Sequence, residues 1–181
     1  MAFFRIKKIK GKEYGYIVEN EWKSAKSLKG TKHGSRQKVK GYLGRVLKFE
    51  LKSNVGFIEY FKITNRPDYL GSNESNKIMM DLIEWELHKF GVDKGEIFID
   101  LNSFKVQKSR RNIALMFNNG LMCNLTLRNL LDFEAGDEHK DGYRLARAFV
   151  EAGITVPQEI FVGLFGKMHK NTEKQKSDFT W

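Results

Sequence analysis

Residues 3–22 read FFRIKKIKGKEYGYIVENEW, and this stretch predicts a β-hairpin at the start of the chain. Over residues 3–10, side chains alternate roughly as a half-buried strand requires. Residues 11–13, Gly-Lys-Glu, are typical of a turn. Aromatic and β-branched residues then recur from Tyr14 onward, which predicts a second strand that ends near Trp22.

A basic loop and a third strand follow this hairpin. Residues 23–35, KSAKSLKGTKHGS, are rich in lysine, serine and glycine, and they predict a flexible loop that orders against a polyanion. Residues 36–44, RQKVKGYLG, predict a strand whose apolar side chains pack while its cations face solvent. Residues 45–51 fit either more strand or a short helix, and the sequence does not decide between them.

A turn is predicted at residues 65–68, Asn-Arg-Pro-Asp, because proline disfavours a helical conformation at the residue before it. We place a boundary there. It separates a basic β-rich module, residues 1–66, from an α+β module, residues 70–181.

The second module begins with helical periodicity. Apolar residues predict a helix over residues 72–90, capped by Ser72 or Asn73 and ended by Gly91. Residues 96–106, EIFIDLNSFKV, predict one strand. Two apolar runs over residues 112–125 are joined by Asn-Asn-Gly, and Asn-Gly is the strongest short signal for a hairpin.

The end of the chain is predicted to be helical. Residues 126–133 form a short helix, and a second helix runs from Asp137 or Glu138 to the stop at Gly153. Thr155 caps a third helix with Pro157 in its first turn, and residues 167–176 are a frayed basic tail. The elements together predict an α+β fold: a small antiparallel β module, then a helix, a hairpin and a C-terminal group of helices.

The net charge of +10 is concentrated at the N-terminus. Residues 1–52 contain 15 Lys and Arg against 4 Asp and Glu, whereas the remaining 129 residues contain 17 against 18. A positive field confined to one module attracts polyanions and speeds their encounter. Solubility alone gives no reason for this asymmetry.

The candidate nucleic-acid-binding residues are the cations of this segment. They are Arg5, Lys7, Lys8, Lys10, Lys12, Lys23, Lys26, Lys29, Lys32, Arg36, Lys38, Lys40 and Arg45. Alternation on the strands is expected to place them on one face, where they can meet phosphates. Arg36 and Arg45 are the sharpest candidates, because arginine contacts phosphate in bidentate fashion. Most of the interleaved aromatic rings are expected to form a small core, and those at its edge to stack on unpaired bases.

Sequence motifs for catalysis, metals or cofactors are absent. The single cysteine, Cys123, and four dispersed histidines offer no ligand spacing typical of zinc. Neither GxxxxGK[ST] nor GxGxxG occurs. Glu96 and Asp100 lie four apart on a predicted strand, hence about 13 Å apart, which is too far for a two-metal centre. We therefore expect no catalytic residues, no metal and no cofactor.

The compartment is expected to be the cytoplasm. A single cysteine fits a reducing environment. The longest apolar runs are far shorter than a membrane span, so no membrane contact is expected.

Two strings in the basic segment carry a family resemblance. Residues 4–19, FRIKKIKGKEYGYIVE, and residues 35–44, SRQKVKGYLG, resemble the opening segment of certain insertion-sequence transposases. They are also similar to a group of small archaeal proteins with the same basic head. The match covers about a quarter of the chain. Nothing after residue 52 resembles a transposase catalytic core, so the resemblance implies a nucleic-acid-binding head and not transposition.

These observations lead to a non-catalytic RNA-binding protein as the favoured function. A lysine-rich hairpin with a long loop suits ribosomal RNA, where phosphates and irregular shape dominate recognition. A ribosomal subunit is then the expected partner, in a role such as regulating translation or pairing subunits, and the second module is expected to contact protein or form a homodimer. The alternatives are a DNA-binding protein derived from a transposase head and an RNA-modifying or nucleolytic enzyme.

Overall fold

The computed structural model describes residues 2–23, 34–136 and 138–177. Within these residues, seven strands form one mixed sheet in the order β1-β2-β3-β6-β5-β4, with β7 paired to β6. The strands are β1 (Ala2–Ile9), β2 (Lys12–Lys23), β3 (Gly34–Lys48), β4 (Phe98–Asp100), β5 (Lys105–Lys108), β6 (Arg111–Phe117) and β7 (Gly120–Met122). The helices are α1 (Phe57–Tyr60), α2 (Arg66–Ser72), α3 (Ser75–Lys89), α4 (Asn124–Leu131), α5 (Glu138–Ala152) and α6 (Gln158–Ser177). The α+β fold class is confirmed.

Both predicted hairpins are present. Strands β1 and β2 pair in antiparallel fashion from Ala2↔Glu19 to Ile9↔Lys12. Strands β6 and β7 are joined by Asn118 and Asn119, whose φ angles of 44° and 65° lie in the left-handed region that two-residue hairpin turns require. The Asn-Gly signal located the hairpin but not its turn residues, since Gly120 begins β7. Asparagine tolerates the left-handed conformation, so Asn118 and Asn119 can form the turn.

Strand β3 continues through residues 45–48, so most of the stretch 45–51, which fitted either strand or helix, is strand, and residues 49–51 are neither strand nor helix. There β3 pairs in parallel with β6, from Arg45↔Ile113 to Lys48↔Met116. The N-terminal strands and the later strands thus belong to the same sheet. The boundary placed at residues 66–70 falls inside α2.

The two faces of this sheet carry separate apolar clusters. Leu47, Ile113 and Leu115 point into the large cluster formed with α1 and α3–α6. Their chain neighbours Val46, Ala114 and Met116 point to the other face, into a small cluster with Leu121 and Cys123. Phe4 and Ile6 of β1 pack against this small cluster. Alternation along the strands therefore gives each face its own core.

Three predictions about local structure were wrong. Residues 96–106 are not one strand, because Asp100 accepts hydrogen bonds from the N–H groups of Asn102 and Ser103 and turns the chain between β4 and β5. Residues 65–68 are not a turn, since Arg66 begins α2 with Pro67 in its first turn, where no intrahelical N–H bond is lost. Residues 167–176 belong to α6.

The remaining helices agree with the sequence apart from their ends. Helix α3 begins at Ser75 after Glu74, not at Ser72 or Asn73, and Gly91 follows its end with a φ of 58°. Gly153 follows α5 with a φ of 75°, as expected for a stop. The Thr155 hydroxyl donates to Glu86 at 2.7 Å, so it contacts α3 and not the first turn of α6.

Candidate nucleic-acid interface

One face of strands β1–β3 carries rows of aromatic and basic side chains. Residues paired across antiparallel strands have side chains on the same face. The first row is Lys7, Tyr14 and Arg45, and the second is Arg5, Tyr16 and Tyr42. A third row is apolar, with Phe3, Val18 and Val39. We call these nine residues the tyrosine face.

The tyrosine face continues the helix-covered face of the sheet. Arg45 lies on the same side of β3 as Leu47, which packs into the large cluster. Over β6 the helices cover this side, whereas over β1–β3 most of the tyrosine face is partly or fully exposed. The other side of β1 is occupied by packing of Phe4 and Ile6 onto the small cluster. Part of this second face of the N-terminal strands is therefore packed against the small cluster, whereas most of the tyrosine face remains open to solvent.

Three tyrosines form the centre of the tyrosine face. The ring centroid of Tyr42 lies 5.5 Å from that of Tyr16 and 6.3 Å from that of Tyr14. The Lys7 ammonium lies 5.2 Å from the Tyr16 ring centroid. Tyr42 is 58% exposed despite these contacts. Desolvation and then the neighbouring Tyr14 and Tyr16 raise the pKa of the Tyr42 hydroxyl, so this ring is neutral in physiological conditions.

A cleft lies beside Tyr14 and Tyr42, with a volume of about 410 Å³. Four cations from three parts of the chain line it together with the two rings: Lys12, Arg45, Lys108 and Arg111. No acidic residue is among its lining residues. We call this site the basic cleft.

Most of the cleft's charge is uncompensated. Lys108 is 2.5 Å from Glu96 in an ion pair. In the described part of the chain, Lys12, Arg45 and Arg111 have no acidic partner. Cations held close together without carboxylates create a local positive potential, which favours binding of an anion.

The predicted cations do not share one face, contrary to expectation. Arg5, Lys7 and Arg45 belong to the tyrosine face, and Lys12 lies at its end opposite Ile9. On the other face, Arg36 is opposite Glu21, Lys38 is opposite Glu19, and Lys8 is opposite Glu13.

Acidic partners accompany the cations of that second face. Lys40 forms an ion pair with Glu19 at 2.8 Å. Hydrogen bonding and attraction to Lys40 lower the pKa of the Glu19 carboxyl, so it remains charged beside these lysines. Arg36 and Lys38 therefore lie in a less positive environment than Arg45.

The other predicted cations are dispersed. Lys10 lies in the turn between β1 and β2 with a φ of 48°, and Lys23 ends β2. Lys26, Lys29 and Lys32 lie outside the described residues. Residues 24–33 of the predicted loop lie outside the described residues, and the predicted ends of the loop were wrong, since Lys23 belongs to β2 and residues 34–35 belong to β3.

Lys108 and Arg111 were not predicted as binding residues, because they belong to a part of the chain with no net positive charge. They flank the β5–β6 turn at Ser109 and Arg110, whose φ angles are 51° and 62°. The run Lys-Ser-Arg-Arg between two apolar strands was the available signal. Only the parallel pairing of β3 with β6 brings it beside Arg45.

The carboxylates considered for catalysis have structural contacts. Glu96 forms an ion pair with Lys108. Asp100 accepts a hydrogen bond of 2.6 Å from the Ser103 hydroxyl in the β4–β5 turn. Among the residues that the structure describes, no group of three His, Cys, Asp or Glu side chains could hold a metal ion. No described helix combines the length and apolarity needed to cross a membrane.

Exposed apolar side chains lie on the C-terminal helices. Tyr143 and Val150 on α5 are 74% and 66% exposed, and Val162 on α6 is 62% exposed. Tyr143 and Val150 are seven residues apart, so they share one side of α5. The expected homodimer stays a prediction.

Comparisons with protein-family models, curated proteins and solved structures found no match to this chain. The resemblance of residues 4–19 and 35–44 to transposase heads therefore stays a prediction.

Proposed function

We propose that this protein binds RNA through the tyrosine face and the basic cleft, without catalysing a reaction. The observation that carries the proposal is the juxtaposition of the exposed Tyr42 ring with the unpaired cations Arg45 and Arg111. Arginine and lysine bind phosphates, and exposed aromatic rings on strands stack on bases. The N-terminal concentration of charge provides long-range attraction to the same surface.

A more specific version of this proposal is that the RNA partner is a ribosomal subunit. Ribosomal RNA presents phosphates and unpaired bases within an irregular shape, which a surface of mixed cations and rings can contact. The protein would then bind a ribosomal subunit and regulate translation or subunit pairing. This form predicts cosedimentation with ribosomal particles in cytoplasmic extracts.

DNA binding is the second candidate, favoured by the resemblance to transposase heads. Many DNA-binding proteins recognise base sequence with a helix placed in the major groove. The tyrosine face consists of strands, and a ring in its second row is better suited to an unpaired base than to a stacked base pair. RNA is therefore preferred.

Two matched triple variants test the proposal. Arg5, Lys12 and Arg45 are changed to glutamine in one variant, and Arg36, Lys38 and Lys40 in the other. Both variants remove three positive charges from the N-terminal strands, the first set from β1, β2 and β3 and the second set from β3 alone. Because only the first set lies at the tyrosine face and the basic cleft, we expect it to weaken RNA binding by about 10- to 100-fold in moderate salt. We expect the second set to have a much smaller effect.

Fluorescence anisotropy with labelled RNA and DNA of the same sequence measures both variants. Equal weakening by the two sets would show that only net charge matters, and it would reject the tyrosine face as the interface. A sucrose gradient of a native extract tests the ribosomal form. Cosedimentation with subunits that is lost at high salt is expected, and a position among free proteins would reject it.

A further inference from the structure

We infer that the tyrosine face and basic cleft take an unpaired RNA strand, with one base stacked on Tyr42 and the adjoining phosphate held in the cleft. This inference rests on the proposed function and specifies its substrate class. It adds two contacts, Lys108 and Arg111, from outside the basic segment.

Tyr42 is suited to be a stacking platform. More than half of its surface is exposed, and Tyr14 and Tyr16 hold it from the side of the sheet. A ring fixed in this way loses little conformational entropy when a base covers it. Bases within a duplex are stacked on each other and present only their edges in the grooves, so this ring can be covered by an unpaired base but not by a base inside a duplex.

The basic cleft lies directly beside this platform, because Tyr14 and Tyr42 belong to its lining. Its volume of about 410 Å³ is within the range of about 300–1,000 Å³ typical of small-molecule sites. That size suits a single nucleotide unit. Arg45 and Arg111 supply guanidinium groups, which can bind phosphate in bidentate fashion, and Lys12 supplies a point charge.

The basic cleft forms only where the N-terminal strands and the β5–β6 hairpin meet in the folded chain. Arg45 pairs with Ile113 across the β3–β6 ladder, two residues from Arg111. The β5–β6 hairpin therefore completes a phosphate site that the N-terminal strands alone do not contain. A basic segment that acted only through its net charge would not need these residues.

Beyond the cleft, the rest of the bound RNA can follow a continuous row of cations across the tyrosine face. Arg5 and Lys7 lie in the same two rows as Tyr42 and Arg45, on the far side of Tyr16 and Tyr14. Phosphates on either side of the stacked base can thus meet cations. Such an arrangement binds single strands with little dependence on base sequence.

The test uses the full chain and two labelled RNAs of equal length: an unstructured ten-nucleotide strand and a ten-base-pair duplex. Tyr42→Leu removes the ring, and Arg111→Gln removes one cleft cation. Tyr143→Leu is the matched control, since Tyr143 is an even more exposed tyrosine on α5. Circular dichroism establishes that each variant is folded.

We expect the wild type to bind the single strand at least about tenfold more tightly than the duplex. Tyr42→Leu should weaken single-strand binding by about 5- to 150-fold, the cost of one lost base stack, and leave duplex binding unchanged. Arg111→Gln should weaken single-strand binding, and Tyr143→Leu should change neither affinity.

The failures of the two proposals differ. Equal affinity for both RNAs, with Tyr42→Leu silent and the Arg5, Lys12 and Arg45 triple variant still weaker, would overturn the unpaired-strand inference and leave RNA binding standing. Failure of the wild type to bind either RNA would overturn both.

Discussion

Asn118 donates a hydrogen bond of 2.6 Å to the Glu86 carboxylate, which joins the β6–β7 turn to helix α3. Glu86 is fully buried. It also accepts from the Thr155 hydroxyl and from Lys89, whose ammonium is 3.2 Å away. Three segments distant in sequence therefore meet at one carboxylate, and this buried polar centre sets the position of the hairpin against the helices.

Glu86→Gln is expected to destabilise the protein by about 3 kcal/mol, because it leaves the nearly buried Lys89 without its counter-charge. Lys89 also lies over the Trp85 ring at 4.1 Å, so it cannot leave without losing that contact. Urea unfolding measures the loss. The double variant Glu86→Gln with Lys89→Met should recover much of the lost free energy of unfolding. If its loss equalled the sum of the losses of the two single variants, Glu86 and Lys89 would not be coupled.

Gly120→Ala is expected to destabilise the protein by about 3 kcal/mol or to prevent folding. A Cβ atom at this position would lie 2.2 Å from the backbone nitrogen of Gly153 and 2.4 Å from the Val150 carbonyl oxygen. Backbone atoms cannot move aside as a flexible side chain can. Gly136→Ala is the control, since a Cβ there meets nothing within 4 Å. Equal thermal stability of the two variants would show that β7 does not pack this closely against the end of α5.

Local signals in the sequence were sufficient to predict the structure where a few adjacent residues determine the backbone conformation. The Asn118-Asn119 turn and the period of α3 are of this kind. The strand predicted over residues 96–106 failed because the Asp100 carboxylate competes for backbone N–H groups, which apolar alternation does not reveal.

The candidate site depended on features that are not local. Plain alternation along β3 would have placed Tyr42 with Arg36, Lys38 and Lys40, on the face opposite Arg45. A register shift in the β2–β3 ladder between Gly15 and Tyr16 brings Tyr42 beside Arg45 instead. A second shift, between Ile17 and Val18, leaves the three cations on the opposite face. The contribution of Arg111 likewise depends on a pairing between strands more than sixty residues apart.

The contribution of Asp100 to stability is expected to depend on pH. The hydrogen bond from the Ser103 hydroxyl, followed by those from backbone N–H groups, lowers the pKa of this carboxyl in the folded protein. Its stabilising effect is therefore complete above the unfolded pKa of about 3.9 and is lost as the pH falls through the lower folded pKa. Asp100→Asn should be less stable than the wild type at pH 7, and the difference should shrink towards pH 3. A constant difference in the free energy of unfolding would contradict this, and Ser103→Ala should raise the pKa measured by NMR.

Salt dependence gives a count of the phosphate contacts made by the basic cleft. For a single strand, log K falls with log salt with a slope of about −0.7 for each neutralised phosphate. Changing both Arg45 and Arg111 to glutamine should therefore make the slope shallower by about 1.4. The control pair, Arg36 and Lys38 changed to glutamine, removes the same charge from positions opposite Glu21 and Glu19 and should leave the slope nearly unchanged. The slope is obtained from affinities measured between about 50 and 200 mM salt. If only net charge mattered, both double variants would change the slope alike; if the cleft makes two phosphate contacts, only the Arg45 and Arg111 variant will change it.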